Sequence, residues 1–229
     1  MSKQKTFIIS LGGSLIVPPK GIDYRYLKKF RTLILEQIKK GNKFFIIAGG
    51  GGTAREYINS ADKIKRTTNH DRDWLGIHST RLNAHLMRTI FSDVAHLNII
   101  KNPTIQMEAK EKVIIAGGWK PGWSTDYVAT IIAQEYEVNT IINLSNIDFA
   151  YDKDPNKYKA AKKLKTVNWK SFRKIVGNKW IPGLNMPFDP IASRKGEQLA
   201  LKVLIMNGKK ISNLKNCLDG NKFNGTVIE

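Results

Sequence analysis

Ile46-Ile47-Ala48-Gly49-Gly50-Gly51-Gly52-Thr53-Ala54-Arg55 is the stretch on which the reading of this chain turns. The apolar run from Phe44 to Ile47 reads as a buried strand, four consecutive glycines follow it, and a helix begins near Thr53 with an arginine in its first turn. Glycine has no Cβ, so its backbone N–H groups can approach a ligand closely. At a strand-to-helix junction those N–H groups and the helix dipole both favour an anion, most often a phosphate. The same punctuation recurs twice. Phe7-Ile8-Ile9-Ser10-Leu11 runs into Gly12-Gly13-Ser14, and Val113-Ile114-Ile115-Ala116 runs into Gly117-Gly118, then Pro121-Gly122 and Ser124-Thr125-Asp126. Three apolar runs ending in glycine pairs predict parallel strands whose C-terminal ends line one phosphate-binding crevice.

The rest of the chain supports that reading. Apolar runs alternate with segments of helical period, the pattern of an α/β fold with a mainly parallel sheet. Strands are predicted at 5–11, 43–48, 96–100, 112–116, 140–144, 202–206 and in the tail near 224–228. Helices are predicted at 23–40 (capped by Asp23), from 53, over Asp73–Phe91, from Thr125 to Tyr136, near 168–176 and over 189–200. Trp74, Ile77, Leu82, Leu86 and Met87 fall roughly on one face of the 73–91 helix. The polar, lysine-rich stretch 148–166 carries Asp154-Pro155 and reads as a hairpin or extended loop. Ser145 to Pro155 is the expected seam between two tightly fused lobes, 1–144 and 145–229, of a single domain.

Composition narrows the class. With 229 residues, 41% of them hydrophobic, the chain can bury roughly 70–75% of its unfolded surface in a packed core. No apolar run is long enough for a membrane helix. The start, Met1-Ser2-Lys3-Gln4-Lys5, lacks the apolar core of a signal peptide, and the lone Cys217 fits a reducing, cytoplasmic setting as a small buried or half-buried hydrophobe. The net charge of +19 raises the question of nucleic acid. The lysines are spread along the chain without an aromatic-interleaved tract, so no dedicated nucleic-acid interface is expected. There is no GxxxxGK[ST] and no GxGxxG, which sets aside P-loop and Rossmann nucleotide sites. One cysteine and four scattered histidines supply no zinc spacing, and His78 and His85 read as structural residues of the long helix.

The ordered set of motifs resembles the amino-acid-kinase superfamily, and within it the UMP kinases of the archaeal-type branch. The resemblance runs from Phe7 to Ile228. It rests on Gly12-Gly13-Ser14, Gly49-Gly50-Gly51 with Arg55, Asp73-Trp74-Leu75-Gly76-Ile77 leading to Thr80-Arg81-Leu82-Asn83-Ala84, Gly117-Gly118, Pro121-Gly122 and Ser124-Thr125-Asp126. It continues through Ser145-Asn146-Ile147-Asp148, Tyr151, Asp154-Pro155, Asp189-Pro190 and Asn224-Gly225-Thr226. It implies an αβα sandwich that transfers the γ-phosphoryl group of ATP to UMP with Mg²⁺, and a homohexamer. Under it, Gly13, Ser14, Gly51 and Arg55 would hold the ATP phosphates, and Ser145, Asn146, Tyr151 and Asp154 the adenosine end. Gly50 would face the UMP phosphate, and the loop Trp119-Lys120-Pro121-Gly122-Trp123-Ser124-Thr125 would close over UMP. Asp73 would accept from the ribose hydroxyls or else cap its helix. Asp189 would organise the transfer site or else cap the helix at Pro190.

Two departures stand out. Many members place a lysine where this chain has Ser10; archaeal-type UMP kinases lack it too, so Arg55, Lys120 and Mg²⁺ are left as candidate transition-state cations. Trp119 and Trp123 replace smaller or polar residues and either stack on the uracil or pack the lid. Isopentenyl phosphate kinase usually has a histidine after its glycine loop, where this chain has Thr53-Ala54-Arg55. Molybdenum-storage proteins, which bind oxyanion clusters, have a longer equivalent of the 117–126 loop.

Overall fold

The computed structural model describes residues 4–155, 157–179 and 186–229; Met1 to Lys3, part of the signal-peptide reading, lie outside them. The first half of the chain forms β1 (Thr6–Leu11), α1 (Gly13–Ile16), α2 (Tyr24–Lys39), β2 (Lys43–Ala48), α3 (Gly51–Ile64), α4 (Asn69–Ile90), β3 (Val113–Ala116), α5 (Thr125–Glu135) and β4 (Thr140–Ser145). The second half adds β5 (Ala150–Tyr151), β6 (Lys163–Leu164), β7 (Thr166–Val167), α6 (Trp169–Val176), α7 (Pro190–Gln198), β8 (Lys202–Asn207), α8 (Ile211–Leu218) and β9 (Thr226–Ile228).

Seven strands make one sheet in the order β3-β2-β1-β4-β8-β9-β7, parallel except where β9 runs antiparallel to β8. The apolar strands are buried on both faces, and their alternation sorts residues between two cores. Ile9, Leu11, Phe44 and Ile46 face one layer with α2, α4 and α8, where Phe30, Met87 and Leu214 pack. Ile8, Phe45, Ile47 and Ile205 face the other, with α5, α6 and α7, where Val128, Phe172 and Ala192 pack. The result is the αβα sandwich expected from the alternation of apolar runs with helical segments.

Because β1 pairs with β2 on one side and β4 on the other, the strand order reverses there. Crevices open at the C-terminal ends of strands at such a point. The glycine loops after β1 and β2 meet at this crevice, backbone against backbone. A Cβ on Gly13 would lie 2.1 Å from the Gly51 nitrogen. Gly51 itself takes φ +62°, a conformation glycine adopts without strain.

Several boundaries differ from expectation. α4 begins four residues before Asp73, with Thr68 as its N-cap in a capping box with Asp71, so Asp73 caps nothing. Trp74 and Leu82 (63% exposed) do not share the buried face of Ile77 and Met87. The stretch 96–100 makes only isolated bridges at Ala95 and Ile100. Residues 148–166 do contain a hairpin, β5 pairing with β6. Cys217 is half-buried, and burial pushes its thiol up to about 11.

Candidate active site

The C-terminal ends of β1, β2 and β4 and the loop after β3 surround a cavity of about 720 Å³. Two helices aim their N-termini at it. Gly51 opens α3, and Thr125 with Asp126 opens α5 behind its N-cap Ser124. Exposed amides and the dipole at both ends attract anions. Gly12, Gly13 and Ser14 line the same space from the β1 loop.

Arg55 sits on the wall of this cavity, exposed, and among the described residues no carboxylate or carbonyl holds its guanidinium. Arg72, also on the wall, is occupied instead by Asp62 at 2.8 Å and by Thr67. Arg81 is spent on the 117–125 loop, donating to the Gly118 and Trp119 carbonyls at 3.1 and 2.8 Å. Among the described residues that line the cavity, Arg55 is thus the cation left without a hydrogen-bond or ion-pair partner.

The remaining expected residues divide. Gly50, Asp73, Trp123, Ser124, Thr125, Ser145 and Asn146 line the cavity. Asp73 also accepts the Gly122 N–H at 2.6 Å and so ties the loop to α4, while a carboxylate keeps further acceptor capacity. Trp119, Lys120, Pro121, Gly122, Tyr151 and Asp154 do not line it. The Lys120 ammonium stands 4.1 Å from the Trp119 ring centroid, an exposed cation–π contact. Trp119 packs against the core cluster that contains Val128 and Phe172, whereas Trp123 meets the Tyr127 ring at a tilt, with centroids 4.1 Å apart, and lines the cavity.

Asp189 is buried at the N-cap of α7. One carboxylate oxygen accepts from the Ile191 and Ala192 amides at 2.7 and 3.0 Å, and the other from the Ser124 hydroxyl. It is therefore a cap, and it joins α7 to the start of α5. It also lies beside Asp126, the last residue of the Ser124-Thr125-Asp126 motif. The Asp126 carboxylate accepts from Ser10 at 2.8 Å and Asn143 at 2.9 Å on the cavity floor. Burial, with the charge of Asp189 adding, pushes Asp126 up to about 7, against the pull of those hydrogen bonds. Burial raises Asp189 as well. Ser10, in the place of the usual lysine, and Asn143, a polar residue inside an apolar strand, were the available signals for this cluster; a buried polar side chain needs a partner.

The sign of the Asp126 shift gives an expected result. The folded protein keeps this proton up to about pH 7, whereas the unfolded chain loses it near 3.8. Between those values the folded state binds more protons, so stability from this group falls as pH rises and the loss is complete above about 7. Asp126→Asn removes that loss but leaves an amide N–H to satisfy, so the variant should gain roughly 1–2 kcal/mol over the parent at high pH. Urea unfolding at pH 5 and pH 8, in chelator and without nucleotide, checks it; a difference that does not grow with pH would contradict the assignment.

A model of the amino acid kinase family matches residues 5–207. The chain belongs to that family. Curated relatives in the family include the uridylate kinase of Methanospirillum hungatei JF-1, 34% identical over 226 residues, covering 97% of this chain and 94% of the relative. The uridylate kinase of Sulfurisphaera tokodaii is 34% identical over 203 residues, 87% of this chain and 89% of the relative. Among solved family structures, uridylate kinase from Archaeoglobus fulgidus superposes with a TM-score of 0.81 at 28% identity, covering 97% of this chain and 99% of that one.

Proposed function

We propose that the chain is a UMP kinase, moving the γ-phosphoryl group of ATP onto UMP to give ADP and UDP. The observation that carries this reading is the convergence of the β1 and β2 glycine loops, two helix N-termini and the unpaired Arg55 on one cavity, in a chain whose curated relatives are uridylate kinases. Phosphoryl transfer asks for two anionic groups held in line with their charge neutralised, and little covalent chemistry from the protein. Gly13, Ser14, Gly51 and Arg55 are assigned to the ATP phosphates. Ser145 and Asn146 are assigned to the adenosine side, with Tyr151 and Asp154 further along the same lobe. Gly50, Asp73, Ser124 and Thr125 are assigned to UMP, with Trp123 as an aromatic wall for its base. Arg55 donates to the oxygens of the transferring group. Asp189 acts as a positioning residue through Ser124, and the exposed Lys120 would reach a phosphate only if the loop moved inward. The UMP side belongs mainly to residues 1–144 and the ATP side mainly to 145–229.

Mg²⁺ characteristically binds through one or two carboxylates together with substrate phosphates and water. Among the described residues no group of three or more His, Cys, Asp or Glu could cage a metal, which suits an ion that arrives with ATP. We assign Asp126 as the carboxylate that would hold it, and the ion would supply neutralisation of phosphate charge. Among the described residues no helix is long and apolar enough to cross a membrane, and we place the enzyme in the cytoplasm.

A panel of nucleoside monophosphates with ATP and Mg²⁺ tests the reading. UMP is expected to be phosphorylated in preference to CMP, AMP and GMP. No ADP release with UMP, alongside turnover of another small phosphate such as isopentenyl phosphate, would overturn it. Oxyanion-cluster storage is not favoured, because the 117–126 loop is short and bound to α4 through Asp73 and Arg81.

A further inference from the structure

Lysines that stand apart along the sequence are gathered on one face by the fold, against the expectation of no dedicated nucleic-acid interface. Residues 148–165 carry six lysines, Lys153, Lys157, Lys159, Lys162, Lys163 and Lys165, against three aspartates. All six are exposed in and around the β5–β6 hairpin. Two of the aspartates have partners within the protein: Asp148 pairs with Lys210 at 2.8 Å, and Asp152 accepts the Lys162 backbone N–H at 2.8 Å. Among the described residues, ion pairs occupy Lys40, Lys202, Lys210 and Lys215 but no hairpin lysine.

The Asp148 pair joins the hairpin to a second group of cations. The hydrogen bond from Lys210, with the charges of Lys210 and Lys163, holds the Asp148 carboxyl below its usual range, so both ammonium groups lie close to it. Lys210 in turn lines an open cavity of about 390 Å³ together with Lys209 and with Lys29 of α2. Two aromatic rings sit among these charges. The Tyr158 ring is 54% exposed with the Lys153 ammonium 5.6 Å from its centroid, and the Phe149 ring has the Lys163 ammonium at 5.6 Å. None of the hairpin lysines, nor Lys29, Lys209 or Lys210, lines the larger cavity that holds Arg55.

We infer that this face binds single-stranded nucleic acid, its phosphates on the lysines and a base on Tyr158. Cations that track a backbone, combined with exposed rings on which bases stack, are the two elements such binding needs. The lysines supply the first without competition from ion pairs, and Tyr158 supplies the second at the tip of the hairpin. A duplex keeps its bases stacked inside and offers this ring nothing. An anionic membrane presents phosphate without a base. The net charge of +19 adds attraction at long range, while the hairpin and the Lys29–Lys210 cavity give the strand a place to settle. The inference is independent of the proposed reaction, and its test reads binding without turnover.

Fluorescence anisotropy of a labelled oligouridylate of about 12 nucleotides, within the usual range of site sizes, is the experiment. The full chain is titrated into it without ATP, UMP or Mg²⁺, over a series of KCl concentrations. The logarithm of the binding constant should fall against that of salt with a slope near −3, for about four phosphate contacts at ~0.7 each. Lys163→Gln combined with Lys209→Gln should weaken binding about tenfold or more and make the slope shallower by about 1. Tyr158→Ala should weaken it about fivefold or more with the slope unchanged, because stacking releases no counterions. Lys63→Gln combined with Lys65→Gln removes the same charge from exposed positions on α3 and should change affinity less than about twofold. All of these side chains are exposed, so circular dichroism should match the parent throughout. Absence of binding at about 50 mM KCl would overturn the inference. So would equal affinity for a duplex of the same length or for phosphatidylserine vesicles at equal phosphate, or weakening by the α3 pair as large as by the Lys163 and Lys209 pair.

Discussion

Arg55→Ala is expected to lower kcat/KM for UMP phosphorylation by about 10²–10³-fold, comparable to loss of one oxyanion donor in a closed site. The guanidinium lines the cavity from the first turns of α3 and makes no hydrogen bond or ion pair among the described residues. It therefore supports no part of the fold, and removing an exposed side chain of this kind should shift stability by less than about 0.5 kcal/mol. That combination, severe loss of rate with an unmoved urea midpoint, separates a phosphate-binding role from a structural one. Arg55→Lys should recover only part of the rate, because an ammonium lacks the planar fork that grips two phosphate oxygens. A loss below about threefold for Arg55→Ala would move the transferring group elsewhere.

Gly13→Ala should be the most damaging change of a single methyl group. The added Cβ would meet the Gly51 nitrogen at 2.1 Å, the Gly49 carbonyl carbon at 2.6 Å and the Gly50 nitrogen at 2.7 Å. All three are backbone atoms, so no side chain can rotate away and the β1 and β2 loops must part. Overpacking of this severity destabilises by about 3 kcal/mol or more. It also moves the two loops assigned to phosphate, so activity should be lost even in protein that remains folded. Gly76→Ala is the control. Its Cβ would meet no atom within 4 Å, and it sits inside α4 without positive φ. There alanine should be neutral or stabilise by up to about 1 kcal/mol. Chemical unfolding of the two variants side by side gives the answer; equal stabilities would mean that the loops are not interlocked.

Much of the architecture was readable because strands buried on both faces leave an uninterrupted apolar run, as Phe44 to Ile47 and Ile114 to Ala116 do. The β2 bounds 43–48 and the Asp23 cap of α2 match expectation. Where the apolar pattern is weak, the sequence misplaces or hides an element. The first turn of α4, Asn69-His70-Asp71-Arg72, is polar all round, so the apolar period placed the start at Asp73 although Thr68 and Asp71 spelled a capping box. α8 was not anticipated, and β7 is too short at two residues to leave a period. Residues 96–100 are apolar enough for a strand but pair at only two points.

The sequence by itself determined the glycine loops, the parallel strands that carry them and the arginine that follows, because each is a local matter of Cβ-free backbone and contiguous apolar residues. Tertiary structure decided which charges are free and which are taken. Arg55, Arg72 and Arg81 look alike along the chain, yet only after folding does Asp62 occupy the second and the Gly118 and Trp119 carbonyls the third. Ser10, Asp126 and Asn143 come from three separate elements, and Asp126 is 116 residues from Ser10 along the chain. Its raised pKa arises from burial and from the neighbouring Asp189, two conditions that no stretch of sequence contains. Such a shift depends on distance and desolvation in space, which the order of residues along the chain does not express.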